Sequence, residues 1–239
     1  MDDKDPFATT IPAPTAARPL LGLTVLVIED SRYACEAMRL LCLRSGARIR
    51  RADCLRSARR HLQVYRPSVV IVDIGLPDGN GIDLISELAA AEPRVDVILG
   101  TSGDLNAEEL ADQAGADGFL AKPILSLAAF QYEILSNLPA DRQPSGLRDV
   151  TDEVIEPDPM AFQDDMAHIA DVLASPENAA TLDYVAQFVG GVARSAHDSG
   201  LEKAALALAK ARAAGAASGA EADALSGLVR QRLTHKLAI

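Results

Sequence analysis

Three short runs constrain this chain most: Val25-Leu26-Val27-Ile28, Val69-Val70-Ile71-Val72 and Val97-Ile98-Leu99. Each is apolar at every position and of strand length, so both of its faces must be covered. Two further strands are predicted at Arg48–Arg51 and Gly118–Ala121. Amphipathic segments lie between them. The first helix is predicted from an N-cap at Ser31 to Gly46, the second over Leu55–Tyr65, the third over Gly81–Ala91, the fourth from a cap at Asp104 to Gly115, and the fifth over Ile124–Leu138. Pro67, Pro93 and Pro139 close three of them. Five β-α units in succession predict an α/β fold, a doubly wound five-stranded parallel sheet with helices on both faces.

The flanking segments read differently. Residues 1–22 hold Pro6, Pro12, Pro14 and Pro19 and little apolar surface, which predicts a flexible leader. The parallel-sheet domain is expected over 23–138 and a proline-bearing linker over 139–158. From 159 to 239 no strand pattern appears. Helices are predicted near 160–174, 176–198, 201–214 and 220–237, with Ser175-Pro176-Glu177 as a helix start. Leu182, Val185, Ala186, Val189, Val192 and Ala193 share one helical face, as do Leu225, Leu228, Val229 and Leu233. An all-α, four-helix antiparallel domain is expected there.

Composition narrows the function. The net charge is −11 and both halves are acidic, which disfavours a phosphate backbone as partner. No apolar run approaches the roughly 20 residues needed to cross a bilayer, and Met1-Asp2-Asp3-Lys4-Asp5 is unlike a secretory signal. Three cysteines, Cys35, Cys42 and Cys54, fit reduced thiols and a cytoplasmic setting.

In an open parallel sheet, ligands bind beyond the carboxyl ends of the strands. Glu29 and Asp30 end the first strand, Asp73 the third, Thr101 and Ser102 the fourth, and Lys122 the fifth. Taken singly, each has an ordinary alternative: a solvated loop or cap for the acid pair, a turn for Asp73, a surface charge for Lys122, a helix cap for Thr101-Ser102. Together they place three carboxylates, a hydroxyl and an ammonium in one crevice. Three close carboxylates repel one another unless something neutralises them. Magnesium does so with oxygen ligands, and a carboxylate beside it can attack a phosphoryl group. Lys122 and a hydroxyl would then surround the transferred oxygens.

These residues stand in segments that resemble the receiver domain of two-component response regulators. The segments are Val25-Leu26-Val27-Ile28-Glu29-Asp30-Ser31, Val72-Asp73-Ile74-Gly75-Leu76-Pro77-Asp78-Gly79-Asn80-Gly81, Ile98-Leu99-Gly100-Thr101-Ser102, and Ala114-Gly115-Ala116-Asp117-Gly118-Phe119-Leu120-Ala121-Lys122-Pro123. The resemblance implies a flavodoxin-like receiver with strand order 2-1-3-4-5. It implies that Asp73 is phosphorylated by a sensor histidine kinase, and that Glu29, Asp30, Asp73 and the Gly75 carbonyl hold Mg2+. It further implies that Lys122 contacts the phosphoryl group across a cis Lys122-Pro123 bond, and that Thr101, rather than Ser102, is the switch hydroxyl with Phe119 as the switch aromatic. Gly75 is expected to leave its side of the site open to water. Readout is expected on the face of the fourth helix, fifth strand and fifth helix.

No second catalytic cluster appears, so the chain reads as an acceptor and signalling protein rather than an enzyme. The helical half is expected to bind a protein or to self-associate as a homodimer. A phosphorelay through His168 or His197 is an alternative. His197-Asp198-Ser199-Gly200 has a nearby glycine but no lysine, and His235 lies in the last helix. A DNA-binding regulator is the third reading, against the acidic charge.

Overall fold

The computed structural model describes residues 13–104, 106–144, 153–174 and 179–234. Its strands are β1 (Thr24–Ile28), β2 (Arg48–Ala52), β3 (Val69–Asp73), β4 (Gly75–Leu76), β5 (Gly79–Asn80), β6 (Val97–Ser102) and β7 (Gly118–Ala121). Its helices are α1 (Arg32–Ser45), α2 (Leu55–Val64), α3 (Gly81–Ala89), α4 (Ala107–Gln113), α5 (Leu127–Asn137), α6 (Pro159–Ala174), α7 (Ala179–Ser195), α8 (Ser199–Ala213) and α9 (Gly219–Thr234).

Five strands form one parallel sheet in the order β2-β1-β3-β6-β7, as expected. The pair β4-β5 is a small antiparallel hairpin after β3. The continuous apolar runs are explained by the two cores. Val25, Val27, Ile71 and Leu99 point to the face covered by α1 and α5, where Met38, Leu41, Phe130 and Ile134 are buried. Leu26, Ile28, Val70, Val72 and Ile98 point to the other face, against Ala58, Leu84, Ile85 and Ala111. Successive strand residues serve opposite faces, so a strand covered on both sides has no polar position to spare.

Helix ends follow local chemistry. Ser31 Oγ accepts from Ala34 N at 3.0 Å and caps α1, which ends at Gly46 with φ of 84°. Two starts in the sheet region differ from expectation. Asp104 does not cap α4: its Oδ1 accepts from Asn106 N at 3.0 Å and closes a turn before the helix begins at Ala107. The fifth helix starts at Leu127, because Ser126 Oγ accepts from Ala129 N at 3.1 Å.

The helices α6–α9 pack around Met166, Ile169, Val185, Val189, Leu201, Leu208, Leu225 and Val229. The apolar face read for α7 is the buried one. The helix start at Ser175-Pro176-Glu177 lies outside the described residues, as does His235. Residues 1–12 of the predicted leader and 145–152 of the predicted linker also lie outside them. The described remainders pack on the sheet domain: Leu20 is buried with Val25 and Phe130, and so is Ile155, whose N–H donates to Leu125 O at 2.8 Å.

Among the described residues, Phe130 is the largest fully buried side chain. Phe130→Ala is expected to lower the unfolding free energy by about 3–5 kcal/mol, measured by urea denaturation. A loss under about 1 kcal/mol would mean that this face of the sheet is not a packed core.

Candidate functional site

The sheet delivers its polar residues to one edge. Glu29 and Asp30 follow β1, Asp73 ends β3, Thr101 and Ser102 end β6, and Lys122 follows β7. Of the sequence-predicted site residues, these stand at the strand ends, whereas Gly75 opens β4 just after Asp73 and Phe119 lies within β7. Ligand atoms of Glu29, Asp30 and Asp73 lie within 4.8 Å of one another. Lys122 Nζ sits 2.6 Å from Glu29 Oε2 and 3.0 Å from Asp73 Oδ2. Glu29 and Asp73 are buried, and a side chain at Gly81 would collide with the Asp73 carbonyl oxygen. The turn after β3 thus packs directly against the end of that strand.

Burial sets the charge states. It pushes the Glu29 carboxyl well above the usual carboxylate range, opposed by Lys122 and reinforced by Asp73 and Asp30. Burial likewise raises Asp30 to about 6, opposed by the hydrogen bond from Tyr184. For Lys122, burial acts downward, but Asp73 and Glu29 outweigh it and raise the ammonium above its ordinary value. One firmly charged cation thus faces three carboxylates. Glu29 Oε2 is buried and receives no well-directed hydrogen bond, despite its closeness to Lys122. An all-oxygen donor set with an excess of negative charge suits a hard divalent cation such as magnesium.

The two hydroxyls differ. Thr101 Oγ1 is buried and donates to Leu120 O at 2.7 Å. Ser102 lines the crevice, and its Oγ accepts from Asp104 N at 3.1 Å. Phe119 is half-buried; a side chain at Gly100 would meet its ring and Ala111. The Lys122–Pro123 peptide is cis.

The helical region closes over this edge, which sequence reasoning missed. Tyr184 Oη donates to Asp30 Oδ2 at 2.6 Å. Asp165 is buried and accepts from Ser31 Oγ at 2.7 Å, Arg32 N at 2.8 Å and Tyr33 N at 3.0 Å, so α6 caps the N-terminus of α1. An Arg194 amine donates to the Gly103 carbonyl. The expectation that Gly75 leaves its side open to water is corrected: a side chain there would collide with the Gln187 amide, so α7 occupies that space. Tyr184, Gln187, Gly191 and Arg194 are spaced by three, four and three residues and share one helical stripe. That spacing is present in the sequence, but a stripe of mixed polar residues and glycine looks like a solvated helix face beside the apolar one. His168 is exposed on α6 with its ring edge-on to Phe188, and His197 stands in the α7–α8 turn with φ of 55°.

Residues 25–130 match the family model described as response regulator receiver domain. The KDP operon transcriptional regulatory protein KdpE of Escherichia coli is 30% identical over 99 residues, 41% of this chain and 44% of that protein. The probable transcriptional regulatory protein TcrX of Mycobacterium tuberculosis is 32% identical over 102 residues, 42% of this chain and 44% of that protein. The chain thus spans less than half the length of these curated relatives. Among solved structures, a response regulator receiver domain protein from Methanospirillum hungatei is similar at 19% identity and a TM-score of 0.44, covering 50% of this chain and 95% of that one.

The raised Asp30 carboxyl has a pH consequence. Its proton is held more tightly folded than unfolded, so its stabilising contribution is complete below about 4 and is lost as pH rises through about 6. With chelator present, Asp30→Asn is expected to gain stability relative to wild type by about 1–3 kcal/mol between about pH 4 and pH 8. Chemical denaturation across that range measures it, and a difference that stays flat would contradict the burial argument.

Proposed function

Because residues 25–130 form a response regulator receiver domain, we propose that this chain accepts a phosphoryl group on Asp73 from a sensor histidine kinase and conveys the change through its helical region. The observation that carries the reading is Lys122 Nζ lying within 3.0 Å of both Glu29 and Asp73 at the strand ends. An Asp73 carboxylate oxygen attacks phosphorus, the donor's P–N bond breaks, and its electron pair returns to the histidine nitrogen. The product is an acyl phosphate. Hydrolysis by water later restores the carboxylate and releases inorganic phosphate. Glu29, Asp30, Asp73 and the Gly75 carbonyl would hold Mg2+, which supplies charge neutralisation at the phosphoryl oxygens. Lys122 provides the remaining positive charge from its buried position.

Thr101 is the switch hydroxyl in this reading. To reach a phosphoryl oxygen it must leave the Leu120 carbonyl, loosening β7 beside Phe119. The phosphoryl group must favour the altered arrangement by a few kcal/mol to shift the population decisively. The helical region then acts by binding a protein or a second copy of the chain. Its acidic charge argues against DNA as the target. A cytoplasmic location goes with this reading. Among the described residues no helix is long and apolar enough to cross a membrane.

Transfer from a radiolabelled donor kinase in Mg2+ tests the reading. Label is expected on wild type, His168→Ala and His197→Ala, absent from Asp73→Asn, and lost in base. Label that survives base and disappears with His197→Ala would instead place the phosphoryl group on the helical region.

A further inference from the structure

The stripe of α7 meets the loops after three strands in turn. Tyr184 bonds Asp30 after β1, Gln187 covers Gly75 after β3, and Arg194 bonds Gly103 after β6. Between Gln187 and Arg194 the stripe carries Gly191, and a side chain built there would meet nothing within 4 Å. Beneath it lies a crevice of about 700 Å³, open on one side, with Asp73, Lys122 and Ser102 on one wall and Gln187, Gly191 and Arg194 on the other. A water molecule's share of liquid volume is about 30 Å³, so a phosphoryl group with several waters fits without lifting the helix. The Gln187 amide makes no hydrogen bond among the described residues, and it is exposed to this space. Arg194 uses two of its nitrogens on Gly103 and Glu202, and a guanidinium has five N–H donors in all.

Resting on the reading that Asp73 accepts a phosphoryl group, we propose that the helical region completes the phosphoryl-binding site. Gln187 and Arg194 are ligands for the phosphoryl oxygens, and Gly191 leaves the room in which the group stands. The strand ends supply the acceptor and Lys122 on one side. The helix α7 supplies neutral and cationic donors on the other, where Gly75 contributes no side chain. A charge-assisted hydrogen bond inside such a crevice is strong and directional. The docked arrangement is therefore one that holds the phosphorylated state rather than one that must be expelled by it.

Binding of beryllofluoride, a phosphoryl mimic that requires no transfer chemistry, tests this on the full chain in Mg2+ by fluorine NMR. Gln187→Glu keeps the size of the side chain but replaces the donor with a negative charge, and is expected to weaken binding by about tenfold or more. Arg194→Gln is expected to weaken it by a similar factor. Gly191→Leu fills the open space and is expected to abolish binding; as a glycine-to-leucine change inside a helix it favours folding. Thermal unfolding of each variant confirms that the fold is retained. Wild type and all three variants binding alike, with Asp73→Ala binding nothing, would overturn the inference and leave the acceptor reading intact. Wild type failing to bind would overturn both.

Discussion

The structure turns on the burial of Lys122 among Glu29, Asp30 and Asp73. Each carboxylate is carried there by the carboxyl end of a strand whose interior is wholly apolar, so the sheet cannot form without bringing the acids together. Such proximity is unfavourable, because burial and mutual repulsion both resist ionisation. The ammonium offsets part of this and is itself held charged by the acids around it. The unbalanced remainder suits the site to a divalent cation and, in the proposed function, to a phosphoryl group with it. The proposed function follows from an electrostatic deficit that the fold creates.

The same edge binds the helical region, and does so by satisfying backbone groups that the sheet domain leaves open. The first turn of α1 presents unpaired N–H groups, and Asp165 takes those of Arg32 and Tyr33 from outside the domain. Asp78 does the same for Leu55 and Arg56 at the start of α2, from the loop after β3. Two remote carboxylates thus cap two helices, one tying the loop after β3 down and the other tying α6 on. With Tyr184 on Asp30 and Arg194 on the Gly103 carbonyl, the helical region touches the acid pair and the loop beyond Thr101 and Ser102. In the proposed function, a change of charge at Asp73 would reach α7 through these neighbours.

Much of this was legible in the sequence, for identifiable reasons. The apolar runs at 25–28, 69–72 and 97–99 admit only doubly covered strands, and the strand ends then locate Glu29, Asp30, Asp73, Thr101 and Lys122. The four helices after residue 158 followed from their apolar spacing, and Gly215 stands between the last two. Helix starts were less secure, because Asp104 and Ser126 are both plausible caps and only the backbone path decides which of them serves a helix. The interface was illegible. Asp165, Tyr184, Gln187 and Arg194 look like ordinary exposed positions on amphipathic helices, and nothing local says that their exposed face meets another domain. Gly75 misled for the same reason, since its missing side chain implied solvent where Gln187 stands.

The central claim, that Asp73 carries the phosphoryl group, is tested most directly by reducing the phosphorylated protein with tritiated borohydride, which converts an aspartyl phosphate to homoserine. Peptide sequencing is expected to place tritiated homoserine at position 73 and nowhere else. Phosphorylated protein that yields no homoserine at that position, or yields it at another acidic residue, would contradict the account.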